Sequence, residues 1–115
     1  MSQVMPVETV TMASELTASL LISLRDASAR VKALAQTEAE QLASSIARIA
    51  ALLSSGQIDT DEAAMLLRIQ RDASEAVLAS LAELSRVEAN RAVTIGLQRL
   101  AATAGGAIAG LLNSI

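Results

Sequence analysis

The chain has 115 residues, a formal net charge of −3 and an apolar share of 52%, with no aromatic residue, no His and no Cys. That length suggests one domain, residues 1–115. The missing residue types exclude Ser–His and Cys–His nucleophile pairs, thiolate and imidazole metal sites and disulfides, and the acidic balance argues against binding to nucleic acid.

Pro6 followed by Val7 and Glu8 suggests a helix starting about there, since proline suits a first helical position. The run "LTASLLISL", Leu16 to Leu24, is nine residues long and cannot span a bilayer. It also lacks the basic flank of a secretory signal. No glycine or proline interrupts Val7 to Leu53. Apolar residues recur there in steps of three and four, through Leu16, Leu20, Leu24, Val31, Ala35, Leu42, Ile46 and Leu53. Several pairs lie eleven apart, a rhythm of about 3.67 residues per turn. The expectation is one helix over about 7–54.

The stretch "LLSSGQIDTDEAAMLL" then marks a turn over 55–59. Gly56 suits the left-handed position past a helix end. Asp59 and Glu62 have the spacing of a capping box, and Ile58 is placed as a hydrophobic staple. The acids of "DTDE" (Asp59, Asp61 and Glu62) lack the spacing of a calcium loop and suit a helix N-terminus.

A second helix is expected over about 60–104, with apolar marks at Leu66, Ile69, Ala73, Val77, Leu84, Val87 and Ile95. A short apolar segment closes the chain: Leu100 to Ile115 contains no charged residue. Ala102, Gly106, Gly110 and Ser114 place a small residue at every fourth position, a spacing that permits close helix approach. The fold class is therefore all-α. A long antiparallel hairpin is expected, a rod of about 65–70 Å at about 1.5 Å per residue. Two helices alone cannot surround a core. Leu21, Leu34, Leu52, Leu67, Leu78 and Leu112 would lie on a second apolar face, so the hairpin should assemble into a multi-helix bundle.

Charge divides the chain unevenly. Residues 25–91 hold most of the charged side chains, including local pairs such as Asp26–Arg30, Arg71–Glu75 and Glu88–Arg91. Residues 1–24 carry Glu8 and Glu15, and residues 92–115 carry Arg99. An antiparallel turn near Gln57 brings the two charge-poor segments together. Their apolar and small residues are the candidate interface, with another copy or with a membrane. From the first segment these are Leu16, Leu20 and Leu24; from the last, Leu97, Leu100, Ala102, Gly105, Gly106, Ile108, Gly110, Leu111, Leu112 and Ile115.

The function expected is non-enzymatic: a self-assembling structural or interaction protein forming a homo-oligomer, dimer or higher. A membrane-active assembly that inserts its Gly/Ala-rich C-terminal segment is the alternative, and an adaptor completing a partner's bundle is a second. No cofactor, metal, nucleic acid or small-molecule substrate is expected. The chain reads as cytoplasmic when synthesised, with signal-independent export or membrane association as the other outcome.

Overall fold

The structure, a computed structural model, describes residues 7–82, 84–103 and 106–113. Five helices follow in order: α1 (Val7–Ser23), α2 (Ala29–Ser54), α3 (Thr60–Leu81), α4 (Arg86–Thr103) and α5 (Gly106–Asn113). Among the described residues there is no strand. The all-α class is as the composition implies, but the two long helices are each divided. The expected helix over 7–54 breaks at 24–28, and the one over 60–104 breaks at 82–85 and ends at Thr103.

Each break has a local cause. Ser28 caps α2, its hydroxyl oxygen accepting from the Val31 amide at 3.3 Å. Ser85 and Glu88 form a reciprocal capping box at α4. The Ser85 hydroxyl oxygen accepts from the Glu88 amide at 3.1 Å, and the Glu88 carboxylate accepts from the Ser85 amide at 3.4 Å. Such caps satisfy amides that a helix start leaves unpaired. The central turn follows its sequence signals. Gly56 takes φ +77°, the left-handed region open to glycine, and Asp59 and Glu62 complete a capping box at α3. Ile58 is half-buried against the core.

Dividing the helices changes the architecture. Short connections make consecutive helices antiparallel neighbours. Here α1 packs on α2 and α4, and α3 packs on α2 and α4. In the diagonal pairs, α1 with α3 and α2 with α4, no Cα atoms of the described residues come within 8 Å. This is a four-helix bundle closed by one chain, with α5 folded against α4, α2 and α3. The longest dimension is 42 Å and the radius of gyration is 13.7 Å. A compact domain of this length has a radius near 13 Å, so the rod expected at about 65–70 Å is not formed.

The core is made of leucine, isoleucine and alanine. Leu16, Ile46, Leu67, Leu78 and Leu100 are its largest fully buried side chains. Ala35, Ala39, Ala43, Ala63 and Ala89 are wholly inaccessible and let the helix backbones come close. The stripe on α2 lies where the sequence rhythm puts it, at Ala35, Ala39, Leu42, Ile46 and Ile49. On α3 it does not. The buried positions are Ala63, Ala64, Leu67, Ser74 and Leu78, whereas Ile69 and Ala73, expected inside, are exposed. Leu67, Leu78 and Leu112, expected on an outer face, are in the core. Helix α3 is apolar on two sides, and with α4 folded back beside it the side holding Leu67 and Leu78 turns inward.

Of Gly56, Gly96 and Gly110, only Gly96, at the α1–α4 contact, has atoms of another helix within 4 Å of an added Cβ. A Cβ added to Gly96 would lie 3.4 Å from Leu16 Cδ2 and 3.9 Å from Ser19 Oγ. The Ser19 hydroxyl is buried there without a hydrogen-bond partner. An unsatisfied buried hydroxyl costs about 1–3 kcal/mol. Ser19→Ala should therefore raise the free energy of unfolding by about 1 kcal/mol, read by urea denaturation with far-UV circular dichroism. A loss of stability in that variant would contradict this packing.

Candidate interaction surface

The two charge-poor segments do meet, as α1 against α4, with Thr103 Oγ1 donating to Glu15 Oε2 at 2.7 Å. Their large side chains are covered within one chain. Leu16, Leu20, Leu24, Leu97, Leu100, Leu111 and Leu112 all belong to the core. For these seven, the covering surface expected from a second copy or a membrane is supplied by the chain's own helices. Ile108 is half-buried, and Ala102 and Gly110 are exposed. Gly106 opens α5, while Gly105 and Ile115 lie outside the described residues.

Gly110 has nothing within 4 Å of an added Cβ, so the small-residue spacing of the tail produces no close approach at that position. A Cβ at Gly96 would instead make ordinary contact with Leu16. The sequence held a signal for it. In the second half of the chain Gly96 stands alone within a helical stretch, between buried Val93 and Leu97.

The apolar surface that is exposed lies elsewhere, in two main places. Met65 and Ile69 stand one helical turn apart on α3 and are more than half exposed. Ile22 and Val87, also more than half exposed, flank the corner where α1 turns into α2 and where α4 begins. At that corner lies a groove of about 530 Å³. Its apolar wall includes Ile22, Leu24, Leu84 and Ile95, and its charged rim is Arg25, Asp26, Glu88 and Arg91. Leu84, Glu88, Arg91 and Ile95 follow at steps of three and four, so one face of α4 forms a wall.

Electrostatics at this rim differ from the spacing-based expectation. The Arg71–Glu75 pair forms at 4.0 Å, with Asp72 also 3.4 Å from Arg71. Asp26–Arg30 and Glu88–Arg91 do not pair, and Glu88 is engaged in the α4 cap. Among the described residues, Arg25, Asp26 and Arg91 make no ion pair.

Among the described residues one ionisable group, Glu38, is buried. Glu38 on α2 is 9% exposed and accepts a hydrogen bond from the Ser74 hydroxyl on α3. Burial pushes its carboxyl above the usual value near 4.5, and the Ser74 hydrogen bond offsets part of that rise. Among the described residues no cluster of three metal-ligating side chains exists. The Glu38 carboxyl is held between α2 and α3. Its consequence is for stability. The folded state holds the Glu38 proton more tightly than the unfolded state. The stability this group contributes is thus fully present below about pH 4.5 and declines as pH rises through the raised value. Glu38→Gln should remove that decline, so the difference in Tm between variant and parent should grow in the variant's favour from pH 4.5 to pH 7. A difference independent of pH would show that Glu38 ionises freely in the fold.

Among the described residues, no helix is long and apolar enough to cross a membrane. No protein-family model, curated protein or solved structure matches the chain.

Proposed function

We propose that this protein is a non-enzymatic interaction module that assembles with copies of itself through faces left uncovered by its four-helix bundle. The observation that carries this reading is the placement of its exposed apolar side chains. A chain that buries leucine and isoleucine throughout its own core still presents Ile22 at the mouth of one groove, Val87 at the start of α4, and Met65 and Ile69 on one helix face. Large apolar groups gathered at the surface mark association sites more often than isolated ones do.

Other features agree with an interaction role. Asp59 and Glu62 at the start of α3 serve its capping box. The burial of Leu111 and Leu112 against the bundle supports a tail that completes its own fold rather than one released into lipid. Assembly of whole bundles replaces assembly of open hairpins, because each bundle has already covered its principal stripes.

Light scattering with refractive-index detection suits a chain without aromatic absorbance. The expected result at micromolar concentration is a mass at an integral multiple of 11.9 kDa, two or higher. A single species at 11.9 kDa across that range would overturn self-assembly.

A further inference from the structure

All of the chain's sulfur is in methionine, because cysteine is absent, and there is no histidine or aromatic side chain. A mild two-electron oxidant therefore meets no thiolate, and the methionine thioether is the side chain left for it to attack. The structure places its two described methionines in unlike surroundings. Met12 on α1 is 4% exposed and belongs to the core cluster with Leu16 and Leu20. Met65 on α3 is 56% exposed.

The helix surface around Met65 is open as well. Asp61 and Glu62 stand one turn before it, Arg68 and Ile69 one turn after, and all four are exposed. Solvent reaches Met65 with the bundle closed, whereas a reagent reaches Met12 through local opening of the fold. Position also decides what an added oxygen does. Ala63, Ala64 and Leu67 carry α3 into the core, so a polar group at Met65 leaves the interior unchanged. It does break the exposed apolar pair that Met65 forms with Ile69. At Met12 the same oxygen would enter the core and disrupt its packing.

From these placements we propose that Met65 is a reversible oxidation site for hydroperoxides in the folded protein. The thioether sulfur attacks one peroxide oxygen, the O–O bond breaks and an S–O bond forms. The proton on the transferred oxygen passes to the departing hydroxide, giving water and the sulfoxide. Sulfur is oxidised by two electrons and the peroxide is reduced by two. Methionine sulfoxide reductases restore the thioether. The modification turns an apolar face of α3 polar while the four helices stay packed.

Hydrogen peroxide added to dilute full-length protein, followed by tryptic mass mapping, tests the site. Trypsin releases Met65 within residues 49–68, apart from residues 1–25 that hold Met12. Met1 and Met5 lie outside the described residues and are separated from Met12 by fragmentation. Oxygen should be gained at Met65 at least about tenfold faster than at Met12, which waits on opening of the fold. Far-UV circular dichroism should be unchanged at full conversion of Met65, and reductase treatment should remove the oxygen. Retention on a hydrophobic-interaction column should fall on oxidation, and fall less in Met65→Leu, which keeps an apolar side chain there. Equal rates at Met65 and Met12, or unfolding that accompanies conversion of Met65, would overturn the site. Equal loss of retention in the parent and in Met65→Leu would overturn its effect on the α3 face.

Discussion

Two amphipathic helices cannot enclose a core, and a chain without aromatic residues has little bulk with which to try. The fold is an answer to that constraint. Each long apolar stretch is broken once, so two helices become four, and the stripes of α1, α2, α3 and α4 face a common interior. Alanines at Ala35, Ala39, Ala43, Ala63 and Ala89 then become useful rather than deficient, because small side chains allow the backbones to approach. Gly96 adds a further small position, beside Leu16. The caps at Ser28 and Ser85 stabilise the breaks, while burial of the stripes supplies the larger driving force.

The need to cover two apolar faces was legible in the sequence, and so was the central turn. Gly56, Asp59 and Glu62 act as local chemistry dictates because a capping box and a left-handed glycine depend on neighbouring residues alone. The other two turns carried weaker signs. Ser85 and Glu88 have the spacing of a capping box, but no glycine or proline stands beside them, and the residues around them favour helix. Ser28 lacks even the acid three residues on. Whether such a serine starts a helix or rides within one is decided by tertiary burial, which a single sequence does not display. The same limit explains α3. Its two apolar sides are comparable in the sequence, and only the position of α4 selects Leu67 and Leu78 over Ile69 and Ala73.

Covering the stripes internally moves the question of function to the surface. The terminal leucines, which in an open hairpin would require a second molecule, are interior residues of the bundle. What is left uncovered among the described residues is smaller and lies elsewhere: the groove at the α1–α2 corner with Ile22, Val87 at the start of α4, and the Met65–Ile69 face. The site residues nominated from the tail were found by counting missing charge. The groove is invisible to that count, because its wall brings Ile22 of α1 beside Leu84, before α4, and Ile95 within it, across some seventy residues of chain.

The division of the long helices underlies all of this, and one distance reports it. The chain is free of cysteine, so spin labels can be placed at Thr11→Cys and Gln41→Cys, both exposed positions. Labelled protein would be diluted in unlabelled protein to isolate the intramolecular distance. In an unbroken helix, thirty residues at about 1.5 Å each would set the two sites about 45 Å apart. With α1 folded antiparallel onto α2, axes about 8–10 Å apart bring the labels within about 25 Å of each other. A pulsed electron–electron resonance distribution centred below about 25 Å is the expected result. A distribution centred near 45 Å would contradict the bundle and restore the rod.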